Sequence, residues 1–174
     1  MTRYRFVPAE SRLFIHASSS IHGISTDADG VEGSVELTIR ADGSIDPTRP
    51  RRGSLRFEIA RLSSGNPLYD IETERRIDAR RYPLVEAALS RLDVIGPTDD
   101  ATGVRCAVAG TLSFHGVSRS LDGEIEVRRL AEKALRITGE RVLDVRDWDI
   151  HPPRLGLIKV HPEVQVRLEA VARS

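Results

Sequence analysis

Five histidines, His16, His22, His115, His151 and His161, are the residues of this chain best suited to chemistry. A neutral imidazole can ligate zinc or serve as an axial ligand to haem. His16 and His22 flank one short segment, and His151 and His161 bracket the stretch from Pro152 to Val160. Their spacings match no zinc motif. A metal or haem site on His22, His115, His151 and His161 therefore requires the fold to gather them at one place. Otherwise they are scattered, hydrogen-bonded side chains. Asp144, Asp147 and Asp149 mix odd and even positions, so spacing alone does not pair them as acid and base. Arg146-Asp147 reads as a structural ion pair or loop brace. Cys106, the single cysteine, shares its parity with Val108, Gly110, Leu112 and Phe114, which predicts a buried thiol rather than a nucleophile. There is no Gly-x-Ser-x-Gly, no Gly-rich phosphate loop and no His-Glu-x-x-His, so no enzyme is expected.

Charge is concentrated between Leu68 and Pro83. Asp70, Glu72, Glu74 and Asp78 stand among Arg75, Arg76, Arg80 and Arg81. Glu72 precedes Arg75 by three residues and Arg76 by four, the spacing that sets opposite charges side by side on a helix. Asn66-Pro67 can start a helix and Pro83 can stop one. This spacing predicts one short helix around residues 68–80. Arg80 and Arg81 could hold an acidic head group, but the neighbouring acids favour an internal ion-pair network.

The elements on both sides of this stretch alternate between apolar and polar residues, the period of strands. Tyr4 to Val7 reads as a short edge strand ended by Pro8. Ser11 to Ala17 is a strand, and Ser18 to Gly30 a loop. Val31 to Arg40 is a strand followed by the Asp42-Gly43 turn and an Asp46-to-Pro50 loop. Gly53 to Arg61 alternates again. After Pro83, Val85, Ala87 and Leu89 share one face and Leu92 and Val94 the other, with a bulge expected near Ser90-Arg91. Val104 to Phe114, Leu121 to Val127, Leu135 toward Val145, and Val164 to Ala170 complete eight or nine strands, with His115-Gly116 as a turn.

Such a pattern predicts an all-β fold, an antiparallel up-and-down barrel with one short helix, in a single domain spanning 1–174. An eight-stranded barrel either fills with side chains or holds one small ligand. Aromatic residues make up only 5 % of the chain, and several inward positions are small: Ala87, Cys106, Gly110, Gly123, Gly139 and Ala170. A hollow interior is therefore expected, although a flattened, filled sandwich would use the same residues. The inward strand residues Phe57, Ile59, Leu89, Val108, Leu112, Phe114, Val166 and Leu168 are the candidates to line it, as they would be candidates for ordinary core.

With 174 residues, 40 % of them hydrophobic and 30 % charged, the chain can bury a core without disulfides. Its net charge of zero argues against nucleic acid as a partner and against a polybasic membrane anchor. Met1 to Phe6 leads into a strand pattern without a signal-peptide core, and no apolar run is long enough to span a membrane, so a cytoplasmic protein is expected.

Several segments together resemble the YceI-like family of polyisoprenoid-binding, lipocalin-like proteins. They are Tyr4-Arg5-Phe6-Val7-Pro8-Ala9-Glu10-Ser11, Val31-Glu32-Gly33, the stretch from Asp70 to Arg80-Arg81-Tyr82-Pro83, Val108 to Arg119 with its Gly110-Thr111-Leu112 and Gly116-Val117, and Arg146-Asp147-Trp148. The resemblance implies an elongated lipocalin-like β-barrel with a helix packed near it. It also implies an apolar tunnel for a long-chain isoprenoid or fatty-acid derivative, and often a homodimer. No cofactor is implied beyond such a bound lipid. His115 and the Ser18-Ser19-Ser20-Ile21-His22 segment depart from the usual family pattern.

Overall fold

The computed structural model describes residues 1–49, 51–152 and 154–174, with the side chain of Leu155 left aside. Pro50, in the predicted Asp46-to-Pro50 loop, and Pro153, between His151 and His161, lie outside the described residues. Among the described residues alternation becomes eleven strands: β1 (Thr2–Phe6), β2 (Arg12–Ser19), β3 (Gly23–Ala28), β4 (Glu32–Leu37), β5 (Arg52–Glu58), β6 (Leu84–Pro97), β7 (Gly103–Phe114), β8 (Val117–Ala131), β9 (Ala134–Asp144), β10 (Arg154–Leu155) and β11 (Ile158–Arg173). Among the described residues one α-helix, α1 (Pro67–Ile77), sits between β5 and β6. Among the described residues no helix is long and apolar enough to cross a membrane.

Each strand pairs antiparallel with its neighbours. The circuit β1-β4-β5-β6-β7-β8-β9-β11 returns to β1, closing an eight-stranded up-and-down barrel. β11 carries β1 and β2 along one side, with Ala172 opposite Phe6 and Leu168 opposite Leu13. β1 and β2 are thus two pieces of one rung, broken by a 3-10 turn at Pro8–Glu10. β3 pairs along the outer side of β2.

β1 is therefore not an edge strand. Pro8 lacks a donor, but it falls in the turn after the strand, where none is needed. At the break Val7 N–H reaches the Val171 carbonyl at 2.8 Å. The fully buried Ser11 hydroxyl accepts from Val171 N–H at 3.2 Å and donates to its carbonyl at 3.4 Å.

Three further boundaries differ from the alternation reading. Gly23–Ala28 is strand rather than loop, because Ile24, Thr26 and Ala28 face Ala17, Ile15 and Leu13 across β2. Thr and Ala carry too little hydrophobic contrast to show that period. β5 ends at Glu58, and Ile59–Arg61 turns as a 3-10 segment that still buries Ile59. On β6 the expected bulge is present: Leu89 opposes Gly110, and Arg91 opposes Ala109. The extra residue turns the parity over, so Leu92, 1 % exposed, joins the interior instead of the opposite face.

α1 follows its start signals. The Asn66 side chain accepts from the backbone N–H of Leu68 (3.1 Å) and Tyr69 (3.3 Å), and Pro67 takes the first position. The helix ends at Ile77, earlier than predicted, because Asp78 adopts the left-handed conformation (φ 52°). Glu72 holds Arg76 at 2.9 Å and Arg75 at 3.4 Å. Arg80 and Arg81 form no ion pair among the described residues, so the expected network stops at Arg76; Arg81 instead lies 5.3 Å from the centre of the Tyr82 ring.

The interior divides into two packed groups. At one end Tyr4, Leu37, Ile45, Leu92, Cys106, Val127, Leu135 and Ala172 form a closed core. At the other, Leu13, Val31, Phe57, Ile59, Ile77, Val85, Trp148 and Ile150 pack together.

Candidate functional site

Inward-facing residues of a barrel meet in the middle only if they are large enough to fill it. At Gly53, Ala87, Gly110, Gly123 and Gly139 they are not, and a cavity of about 430 Å³ opens along the axis. That lies within the range of roughly 300–1,000 Å³ usual for ligand clefts. All eight strand residues singled out by alternation, Phe57, Ile59, Leu89, Val108, Leu112, Phe114, Val166 and Leu168, border it. The wall is predominantly apolar.

Alternation along strands missed the contributions from outside them. α1 presents Tyr69, Thr73, Arg76 and Ile77 to the cavity. Their spacing of four, three and one is that of a helix face, a signal obscured by the surrounding charges. Trp148 and Ile150 enter from the 3-10 turn Val145–Trp148 and the residues after it. The Trp148 indole N–H donates to the Leu112 carbonyl at 3.1 Å, and its ring lies 5.5 Å from that of Phe114. The turn is held by the Asp144 carboxylate, which accepts from Arg146 N–H at 3.0 Å and pairs with the Arg146 guanidinium at 2.6 Å. That contact keeps the Asp144 carboxyl below the usual carboxylate range. The brace is thus Asp144–Arg146, not Arg146–Asp147; Asp147 instead offers its carbonyl to Arg119 at 2.8 Å.

The histidines are placed apart. His22 Nδ1 donates to the Gly23 carbonyl (2.9 Å) and His115 Nδ1 to the Trp148 carbonyl (2.9 Å). His16 shares a hydrogen bond with the Ser25 hydroxyl (3.1 Å), and His161 with the Ser18 hydroxyl (2.9 Å). His151 is exposed, and of the five only His161 borders the cavity. Among the described residues no three of His, Cys, Asp and Glu stand where they could hold a metal ion. Cys106 is fully buried in the closed core, and burial pushes its thiol up to about 11.

Among the described residues, three parts of the cavity wall differ in how they are built. The first is the solid core around Tyr4, Leu37, Leu92 and Leu135. The second is a seam where β3 meets the chain beyond β5 at a single bridge, Asp27–Ser63. Here α1 covers the gap, with Tyr69 packed against Ala17 and Val160. The third is the seam between β8 and β9. Their pairing runs from Ala131–Ala134 to Ile125–Gly139 and stops.

The sequence of residues 4–172 matches the model of the YceI-like domain. The chain belongs to the YceI-like family. Solved structures of similar fold include BcnA of Burkholderia cenocepacia, with a TM-score of 0.74 at 14 % identity over 95 % of this chain and 98 % of that one. A polyisoprenoid-binding domain of Saccharophagus degradans, implicated in plant cell wall breakdown, has a TM-score of 0.73 at 16 % identity, covering 98 % of both chains. The YceI protein of Campylobacter jejuni has a TM-score of 0.59 at 14 % identity, over 82 % and 81 %. No curated protein matches the chain by sequence. At such identities the YceI-like barrel itself is what these structures share with the chain. Residues Tyr4 and Ala172, near the limits of the match, both sit in the closed core.

Proposed function

We propose that this YceI-like protein binds, stores or carries a long-chain apolar molecule, an isoprenoid or fatty-acid derivative, and catalyses no reaction. The observation that carries this reading is the apolar cavity of about 430 Å³ inside the barrel. The polyisoprenoid-binding domain of similar fold supports it. Each methylene moved from water into such a wall contributes about 0.8 kcal/mol, so ten contribute roughly 8 kcal/mol before the costs of ordering. Phe57, Ile59, Leu89, Val108, Leu112, Phe114, Val166 and Leu168 are the contact residues of this reading. A single buried free thiol suits the reducing cytosol in which we place the protein, working as a homodimer.

Native mass spectrometry of freshly purified protein, with solvent extraction of the same sample, tests the binding. A bound lipid, or uptake of a long-chain quinone or fatty amide by the stripped protein, is the expected result. Protein that arrives empty and takes up neither rejects the proposal. Sedimentation velocity checks the dimer.

A further inference from the structure

The barrel wall is interrupted between β8 and β9. β8 remains paired with β7 from Val117 to Arg128, and β9 with β11 from Ala134 to Asp144. Between them, among the described residues, no pairing extends past Ile125–Gly139 toward Val117 on one side and Asp144 on the other. The far end of this slit is closed by the Val145–Trp148 turn, where Arg119 donates to the Asp147 carbonyl at 2.8 Å. Leu121 and Gly123 on one side, and Gly139, Arg141 and Leu143 on the other, border both the slit and the cavity.

Arg141 marks the opening. It stands opposite Val166 on β11, in the series of β9 that points inward, yet its side chain is 48 % exposed. It pairs at 3.0 Å with Asp122, whose side chain is 76 % exposed and which belongs to the outward series of β8, opposite Ala109. An inward residue can meet an outward carboxylate on the next strand only where no ladder stands between them. The guanidinium therefore passes through the wall. Gly123 keeps the way clear: a Cβ there would meet only the Arg141 Cδ, at 4.0 Å.

We infer that the slit between β8 and β9 is the passage by which the apolar ligand enters and leaves, and that Arg141–Asp122 is its latch. This rests on the carrier reading of the cavity. The floor is solid core, and the seam beside β3 is covered by α1 with packed side chains. Among the described residues the β8–β9 seam is spanned by one exposed ion pair, a weak contact that salt screens, so of these three parts of the wall it is the easiest to open. Unpaired strand edges flanking the slit can part without breaking a ladder.

Two readouts separate the passage from the carrier reading. One is the stopped-flow rate at which stripped protein takes up a pyrene-labelled sixteen-carbon fatty amide. The other needs no lipid: the rate at which a neutral maleimide labels a cavity cysteine, Val166→Cys, with the buried Cys106 of the unaltered chain as blank. Asp122→Asn and Arg141→Ala should each raise both rates about two- to fivefold, the span that loss of one exposed ion pair allows, and high salt should do the same to the unaltered latch. Gly123→Leu should slow both. Asn66→Ala, which removes the cap of α1 and lies outside the cavity wall, should move neither. Labelling that ignores the three slit variants, or follows Asn66→Ala instead, overturns the passage. Labelling that follows the slit in a protein that takes up no amide leaves the passage standing and removes the carrier reading.

Discussion

Leu37, Leu92, Leu135 and Ala172 are at most 1 % exposed and touch no part of the cavity, whereas Phe57, Leu112, Val166 and Trp148 all face it. These two halves of the interior share strands. They differ in the size of their inward residues, with Gly53, Ala87, Gly110, Gly123 and Gly139 only in the hollow half, and in what the wall does around them. In the closed half, β8 and β9 pair without a break from Ile125 to their hairpin apart from a bulge, and Ile45, brought in by the Ile39–Ile45 bridge, plugs the end. In the hollow half the rung shared by β1 and β2 breaks at Pro8–Glu10, β8 and β9 separate, and the missing wall is supplied by α1 and the Val145–Trp148 turn.

The largest expected difference between the halves is the cost of removing volume. Leu135→Ala, in the closed core, should lose about 2–5 kcal/mol of stability, because its neighbours cannot collapse onto the space. Leu112→Ala, whose side chain already faces a void, should lose about 1–2 kcal/mol, since it has fewer partners to forfeit. Urea unfolding of stripped protein measures both. Equal losses would show that the cavity is closed in solution.

Adding volume should reverse the ranking. Ala172→Leu must displace packed neighbours and should cost about 1–3 kcal/mol. Ala87→Leu extends into the cavity and should leave stability unchanged or raise it by about 1 kcal/mol, while lowering the amount of lipid the protein holds. Thermal unfolding reports the first effect and lipid uptake the second. An Ala87→Leu protein as damaged as Ala172→Leu would remove the distinction between the halves.

Much of this was legible in the sequence, for a physical reason. A strand with one wet face writes its period into the chain, so Val35 to Leu37, Leu55 to Phe57, Val104 to Phe114 and Val164 to Ala170 could be assigned, and with them Phe57, Val108, Leu112, Phe114, Val166 and Leu168 of the cavity wall. β3 was not legible, because Thr26 and Ala28 contrast too little with Ser25 and Asp27. Alternation alone puts Leu92 on the opposite face, and the bulge expected near Ser90-Arg91 returns it to the interior, since one extra residue inverts every later side chain. The helical part of the wall, Tyr69 to Ile77, was hidden by the charges on its outer side. The β8–β9 slit is least legible of all. Leu121, Gly123 and Arg141 alternate as well as any paired residues, and nothing in a single strand records whether its neighbour is within hydrogen-bonding distance.

The smallest expected effect is a pH dependence confined to the closed half. Cys106 is fully buried beside Leu92 and Val127, and burial raises its thiol to about 11 from an ordinary value near 9. An acid whose folded pKa is raised favours folding fully below the unfolded pKa, and that contribution fades as pH rises through the window between the two values. Stability should therefore fall by about 1 kcal/mol between pH 8.5 and 10, as the unfolded chain releases a proton that the folded one retains. Cys106→Ala isolates the thiol, because other groups that titrate at high pH remain. Its stability should decline less over the same interval, although its starting value is lower for the space the sulfur leaves. Parallel decline in both proteins would mean that the thiol meets solvent, and the closed half would then be open as well. A decline absent from Cys106→Ala, beside a Val166→Cys thiol that titrates near its ordinary value, would show two cysteines in one barrel in two different media: packed side chains at one end, and at the other a space that exchanges with water.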